Sequence, residues 1–239
     1  TANTDESFTY DVTAPTSTTA VESVDGTGNA NDADVVTITL DPSETVGTPT
    51  CTFTDGIGAM EDTTVTYDTT GDDSHTAQVT VHNDDDDGAV GFSCTYADLA
   101  GNDIASAITV ATSGAVIIDN THPTMTPVSI VETGDGNAND GDDITLSFTA
   151  SEGIQTPTCT FTSGGQAMAD SSITVTEGDA NAWTCVLDVD NGDTDGSVAF
   201  SIAFSDDAGN AGSTAVAVTD GTSVTIDNTH PTSTTAVLS

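Results

Sequence analysis

Apolar and polar residues alternate along short segments of this chain. Val36, Ile38 and Leu40 are separated by single threonines, and residues 144–148 repeat the spacing. Because successive side chains of a β-strand point to opposite faces, the pattern predicts antiparallel strands with one buried face. The same alternation is found at residues 65–67, 77–81, 90–96 and 108–110, the last leading to Ile118. Thr, Val, Gly and Asp dominate these segments and no helical pattern competes with them, so the predicted fold class is all-β.

The chain repeats with a period of 108 residues. This interval separates Pro15 from Pro123 and Pro123 from Pro231, and it also aligns Cys51 with Cys159. A proline ends one strand and orients the next, so the three prolines are predicted to lie at domain junctions. The predicted domains are the last strand of a preceding repeat at 1–11, repeat 1 at 12–119, repeat 2 at 120–227, and the first strand of a following repeat or of a strand-exchanged neighbour at 228–239.

Each unit holds roughly seven predicted strands in about 100 residues, which is the size of an immunoglobulin-like sandwich. Its motifs are Ala-Ser-Glu at 150–152, Asp-x-Ala-Gly-Asn at 98–102 and 206–210, and Ile-Asp-Asn-Thr-x-Pro-Thr at the junctions. This combination resembles the bacterial Ig-like domains that occur in tandem in large surface adhesins and extracellular filaments. The resemblance implies tandem Ig-like β-sandwiches of about 108 residues each, arranged as a rod.

The charge of the chain excludes several partners. It has no Lys or Arg against 39 Asp and Glu, a formal net charge of −39. Nothing in it can neutralise phosphates, so nucleic acid and anionic membranes are excluded. Because salt screens repulsion among the acids, we expect a saline or calcium-rich setting. The resemblance implies a location outside or at the surface of a prokaryotic cell. There is no apolar run long enough to span a membrane and no signal-peptide pattern, so no membrane insertion is expected.

Each repeat carries one pair of cysteines, Cys51 with Cys94 and Cys159 with Cys185. The first members are one period apart, whereas the second members lie on different predicted strands. Two inward-facing cysteines per domain predict the disulfides Cys51–Cys94 and Cys159–Cys185, formed in an oxidising compartment. Buried free thiols are the alternative. A zinc site is less favoured because the chain has no Cys-x-x-Cys pair.

Two loops combine acids, amides and glycines in the way that calcium loops do. They span residues 25–32 and 134–140, where side-chain oxygens are available and glycines let the backbone turn around an ion. No glutamate follows in a helix at the twelfth position, so neither loop is an EF-hand. The same composition is also typical of ordinary turns, which is the alternative interpretation. The candidate ligands in this first set are Asp25, Asn29, Asp32, Asp135, Asn137 and Asp140.

A second candidate set follows from the resemblance to Ig-like arrays, in which calcium ions commonly occupy domain junctions. It implies that Asp98 or Asp206 binds Ca²⁺ together with the junction aspartate that follows it in the chain. The candidate ligands are Asp98, Asn102, Asp119, Asp206, Asn210 and Asp227. The acidic run at residues 83–87 is instead predicted to be a solvated loop, since like charges in series repel one another.

The chain shows no convergent set of nucleophile, base and orienting group, so we predict that it is not an enzyme. His122 and His230 lie in the junctions and are interpreted as turn residues. We expect a structural subunit or segment of an extracellular filament, self-associating with identical chains or neighbouring repeats. Strand complementation between neighbours would provide one way of joining them. The alternative is the stalk of a large cell-surface adhesin, whose surface ligand the sequence does not identify.

Overall fold

The computed structural model describes residues 10–23, 28–70, 73–134, 136–169 and 172–233. Contacts between Cα atoms divide the chain into two compact units, residues 1–121 and residues 122–239. Throughout the described ranges the regular elements are β-strands and none is a helix, which confirms the predicted class. No helix in that part of the chain is long and apolar enough to cross a membrane.

Unit 1 is built from mainly antiparallel sheets that share one core. In chain order its strands are β1 (Ser17–Ser23), β2 (Asn29–Ala30), β3 (Val35–Pro42), β4 (Thr50–Thr54), β5 (Thr66–Thr70), β6 (Ser74–Thr80), β7 (Gly88–Ala89), β8 (Gly91–Thr95) and β9 (Ile117–Ile118). One sheet has the order β1-β3-β6-β5, a second pairs β4 with β8, and β9 lies between β2 and β7. The pairing of β9 with β2 is parallel, so the last strand runs beside an early one.

Unit 2 repeats this plan with small changes. Its strands are β10 (Met125–Glu132), β11 (Asp143–Ala150), β12 (Thr158–Ser163), β13 (Gln166–Ala167), β14 (Thr174–Glu177), β15 (Ala182–Asp188), β16 (Gly196–Ala203) and β17 (Thr225–Ile226). One sheet has the order β10-β11-β15-β14 and the other has the order β13-β12-β16-β17. Ala138 forms a parallel bridge to Ile226, in the place that β2 and β9 occupy in unit 1.

The alternation seen in the sequence becomes the packing of the cores. Val36, Ile38 and Leu40 on β3 are completely buried, while the threonines between them are half-buried on the outer face. These residues pack in one cluster with Phe53 and Phe92 from the β4–β8 sheet. Each unit is therefore a β-sandwich of the immunoglobulin-like kind, as predicted.

The final strand of unit 1 is shorter than the predicted segment from Ile108 to Ile118. Ile108 forms an isolated bridge to Cys94, and regular pairing resumes only at β9. The interruption includes Gly114, which has a φ of +78°. A Cβ atom at this position would collide with the carbonyl oxygen of Val21, so only glycine fits where the chain crosses β1.

The constant period of 108 residues hides a local change in register. Ser17 pairs with Pro42, and one period later Met125 pairs with Ala150. Further along, Val21 pairs with Ile38, but it is Ile130 that pairs with the equivalent Leu146. The irregularity lies between Met125 and Val128, where β10 accommodates one extra residue. The following loop is one residue shorter, so the period is restored beyond it.

Candidate functional site

The Asp-x-Ala-Gly-Asn turns are closed by hydrogen bonds between their first and last residues. The backbone N–H of Asn102 donates to Oδ1 of Asp98 over 2.8 Å, and its side-chain amide donates to Oδ2 over 2.7 Å. In unit 2 the N–H and the side-chain amide of Asn210 donate to the two oxygens of Asp206, each over 2.9 Å. Gly101 allows the tight turn with a φ of +92°. The carboxylate is thus fixed in place by the turn itself.

Three carboxylates converge beside this turn in unit 1. Asp11, Glu44 and Asp98 each place an oxygen within 4.8 Å of the other two. They border a surface recess of about 520 Å³ that also contains Thr45 and Leu99. The side-chain amide of Asn102 donates over 3.2 Å to the main-chain oxygen of Asp11, which holds the incoming chain against the turn. Oxygen ligands in this number and spacing suit a hard cation such as Ca²⁺.

The pKa values of Glu44 and Asp98 are shifted in opposite directions. Partial burial, followed by the negative charges of Asp11 and Asp98, raises the pKa of Glu44 above its usual value. Hydrogen bonds from the Asn102 side chain and from the turn backbone lower the pKa of Asp98. Asp98 is therefore held as a carboxylate, whereas burial and then the charges of its neighbours disfavour the ionised form of Glu44. A cation would remove that repulsion.

The structure groups Asp98 with the preceding junction aspartate, Asp11, and not with the following one, Asp119. The resemblance implied the following aspartate as the partner of Asp98, and metal binding at either place stays a prediction. Asp119 lies beyond β9, where its N–H donates to the oxygen of Ala30 near the start of β3, and its Oδ1 accepts the N–H of Thr121. Glu44 follows the end of β3, whose eight residues span about 26 Å. In unit 2, Asp227 likewise donates its N–H to Ala138 and accepts from Thr229.

The described acids of the first candidate set accept hydrogen bonds from a loop that lies 51 residues later in the chain. Asp25 and Asp135 lie outside the described residues. Oδ1 of Asp32 accepts the N–H of Asn83 over 3.0 Å, and Oδ1 of Asp140 accepts that of Asn191 over 2.9 Å. Asn29 is half-buried in β2 and Asn137 is exposed. Asp32 does not belong to the group formed by Asp11, Glu44 and Asp98 in the described part of unit 1.

A polar arrangement that the sequence analysis missed holds the end of unit 1. The Asn120 side-chain amide donates to the main-chain oxygens of His82 and Asp85, over 2.9 Å and 3.1 Å. Its backbone N–H and the Thr121 hydroxyl donate to the two oxygens of Asp87, over 2.7 Å and 2.6 Å. We call this set of contacts the Asn-Thr clamp. It ties the residues that follow β9 to the loop before β7.

The Asn-Thr clamp recurs in unit 2 with the same atoms. The Asn228 side chain donates to the oxygens of Asp190 and Asp193, and its N–H and the Thr229 hydroxyl donate to Asp195. The bond from Thr229, followed by that from Asn228, lowers the pKa of Asp195. An arrangement that appears in both units at positions one period apart is a property of the repeat.

The acidic run at residues 83–87 is therefore more than the predicted solvated loop. Asp85 is only 4% exposed and accepts the N–H groups of Glu61 and His82, while Asp87 belongs to the clamp. The sequence did contain a signal for this. One period later Asp85 and Asp87 remain aspartates, whereas Asp84 and Asp86 are replaced by glycine and threonine.

Both predicted disulfides are present, but they connect different parts of the sandwich. Cys51 and Cys94 face each other on β4 and β8 within one sheet, with Cα atoms 4.1 Å apart. Cys159 and Cys185 join β12 to β15 in the opposite sheet, with Cα atoms 6.5 Å apart. In unit 1 the Tyr67 hydroxyl on β5 accepts the N–H of Cys51 over 2.8 Å. That hydrogen bond connects the sheets where unit 2 has a covalent bond.

Known proteins resemble this chain in structure only. No protein-family model matches the sequence, and no curated protein matches it. A fragment of the titin I-band is similar with a TM-score of 0.47 and 12% identity, covering 90% of this chain and 66% of the fragment. Tandem Ig repeats of Dlar match with a TM-score of 0.27 and 12% identity, covering 89% and 96%. A marsupial T cell receptor matches with a TM-score of 0.33 and 10% identity, covering 81% and 93%.

Proposed function

We propose that this chain is a load-bearing, non-enzymatic segment of an extracellular prokaryotic filament made of tandem Ig-like domains. The observation that carries the proposal is the Asn-Thr clamp, which recurs where the chain leaves each unit. Tension on a tandem array enters and leaves every domain at its two ends. A carboxylate and two main-chain carbonyls secure that point in both units, and hydrogen bonds to charged groups are among the stronger ones.

The pairing of early and late strands supports the same function. β9 pairs with β2 in parallel, so pulling on the two ends loads their hydrogen bonds together instead of opening them one after another. The disulfides add covalent limits to extension inside each unit. They also indicate a non-reducing, extracellular environment.

Calcium is part of the proposal, with Asp11, Glu44 and Asp98 as the ligand group in unit 1. The raised pKa of Glu44 supports a cation there, because burial and then the charges of Asp11 and Asp98 disfavour its ionised form. The sequence carries Asp119, Glu152 and Asp206 one period later. The loop acids around Asp32 and Asp140 are a second, independent candidate. Bound Ca²⁺ would fix the entering chain against the unit and so stiffen the array.

A calcium titration followed by differential scanning calorimetry tests this part. Ligand at a hundredfold excess over its Kd adds about 2.7 kcal/mol to the stability of the folded state. For a domain of about 100 residues this raises the Tm by roughly 10–20 °C. Glu44→Gln should raise the Tm in EDTA, because it relieves repulsion, and should reduce the response to calcium. Glu61→Gln is the matched control, since Glu61 is exposed and lies outside the acidic group.

An unchanged Tm in calcium would remove the ion from the proposal and leave the clamps and disulfides as the stabilising elements. Electron microscopy of the same samples separates the two structural roles. A filament subunit assembles into ordered polymers from this chain alone, whereas an adhesin stalk stays unassembled. Strand complementation would involve the predicted terminal strands at 1–11 and 228–239, of which residues 1–9 and 234–239 lie outside the described residues. Removing residues 1–9 or 234–239 should then abolish polymerisation without changing the Tm of the units.

A further inference from the structure

Strand β5 keeps one open edge in the described part of unit 1. It is the last strand in the order β1-β3-β6-β5, and Thr66 to Thr69 are exposed. The N–H of Thr69 donates to Oδ1 of its neighbour Asp68 over 2.8 Å instead of to a strand. Because residues of an antiparallel strand alternate in the direction of their main-chain groups, Tyr67 also points its N–H and C=O away from β6.

The other sheet edges of this unit are covered at several points. The N–H of Val21 on β1 donates over 3.1 Å to the oxygen of Ser113, which belongs to the returning chain. On β4 the N–H of Cys51 donates to the Tyr67 hydroxyl, and Thr54 at the end of the strand forms a bridge to Ala59. Within the described residues, no main-chain hydrogen bond comparable to these reaches the outer side of β5.

The open edge also lacks the features that usually prevent strand pairing. Residues 63–70 read Thr-Thr-Val-Thr-Tyr-Asp-Thr-Thr, with a single acid and with residues that favour strands. There is no proline, lysine or bulge to block an incoming strand. In a chain of net charge −39, the single acid of this segment limits the repulsion that an approaching strand meets.

We propose that β5 pairs with β5 of a second copy of this chain, in an antiparallel register centred on Tyr67. The proposal rests on the proposed filament and names the surface through which neighbouring filaments associate laterally. In this register Tyr67 faces its own copy, Thr66 faces Asp68, and Val65 faces Thr69. Over residues 64–70, which this register pairs with one another, no carboxylate lies opposite another. The pair has twofold symmetry, and the two Tyr67 residues exchange main-chain hydrogen bonds.

Sedimentation velocity over a range of protein concentrations, in high salt to screen the remaining charge, measures the association. Thr66→Asp places a carboxylate opposite Asp68 at two symmetric positions and should weaken dimerisation about tenfold. Thr39→Asp adds the same charge on the same face of the sheet but two strands away from the edge, and should have little effect. Asp68→Asn removes the only acid of the segment and should strengthen dimerisation.

Amide hydrogen exchange identifies the surface that is used. The amides of Tyr67 and Thr69 should gain protection as the protein concentration rises. A monomer at all concentrations, equal effects of Thr66→Asp and Thr39→Asp, or a dimer in which these two amides stay unprotected would each overturn the pairing. Calcium-dependent Tm and end-to-end assembly do not involve β5. If a protein that fails to dimerise keeps its calcium-dependent Tm and its end-to-end assembly, the lateral pairing is rejected and the filament proposal stands.

Discussion

The two disulfides should give the two units different extensions under force. Each bond closes a loop that cannot unravel while it is intact, with a sequence separation of 43 residues in unit 1 and 26 in unit 2. In the oxidised protein these loops stay short when the rest of a unit unfolds. Reduction releases them, and the extra length depends only on the loop and not on the folded dimensions.

The expected lengths follow from the geometry of the extended chain. At 3.3–3.6 Å per residue, and after subtracting the Cα separations of 4.1 Å and 6.5 Å, reduction should add about 140–150 Å to unit 1 and about 80–90 Å to unit 2. The chain-entropy account assigns similar stabilisation to both bonds, about 4 and 3.5 kcal/mol. The two units are thus distinguished by length more clearly than by stability.

Optical tweezers with handles at the two ends can measure both increments before and after treatment with a dithiol reductant. Single-unit controls come from Cys51→Ala with Cys94→Ala, and from Cys159→Ala with Cys185→Ala. In each double variant, the unit that lacks its disulfide should show the longer extension even without reductant. Equal increments from the two units, or no change on reduction, would show that the loops are not closed as the structure has them.

Further predictions concern the contacts that replace ion pairs in this chain. Asn120→Ala leaves two carbonyls without their donor and should destabilise unit 1 by about 1–3 kcal/mol in calorimetry, whereas Asn83→Ala, at an exposed side chain, should be nearly neutral. Tyr67→Phe removes the hydrogen bond to Cys51 and should cost about 1 kcal/mol, with Tyr10→Phe as a control at a site 88% exposed. Hydrogen bonds from the N–H of Gly58, then Ile57 and Asp86, lower the pKa of folded Asp55, so their contribution is complete above the unfolded pKa of about 4 and disappears as the pH falls through the lower folded value. Asp55→Asn should flatten the acid limb of a plot of unit 1 stability against pH, and an unchanged limb would contradict this assignment.

The fold was predictable because its information is local and repeated. Alternation at positions such as 36–40 fixes which face of a strand is buried, and the period fixes how many times the pattern recurs. The changes in register were not predictable in the same way. The extra residue in β10 and the compensating shorter loop leave the period intact. They become visible only in the strand pairing, where Ile38 faces Val21 and the equivalent Leu146 faces Ile130.

The candidate site was predictable in its residue types and less so in its partners. Asp98 and Asn102 were recognised from their motif. The acids that lie near Asp98 depend on the topology, which places Asp11 near the end of β3 and Asp119 near its start. Glu44 was overlooked as a ligand although it lies one period before Glu152 of the Ala-Ser-Glu motif, because that motif was used only to recognise the resemblance. The clamp was overlooked because a run of acids was treated as a unit, although only Asp85 and Asp87 persist in the second repeat.

The absence of Lys and Arg explains why the same small set of contacts recurs. A carboxylate in a folded protein needs donors, and here they come from main-chain N–H groups, asparagine amides and threonine hydroxyls. Asp55 accepts three N–H groups, Asp85 accepts two, and Asp87 accepts one N–H and one hydroxyl. Such bonds depend on the folded backbone, so each acid that forms them stabilises a specific loop and leaves the net charge unchanged. Acids such as Glu44, which burial and then repulsion destabilise, are those for which a cation makes the largest difference.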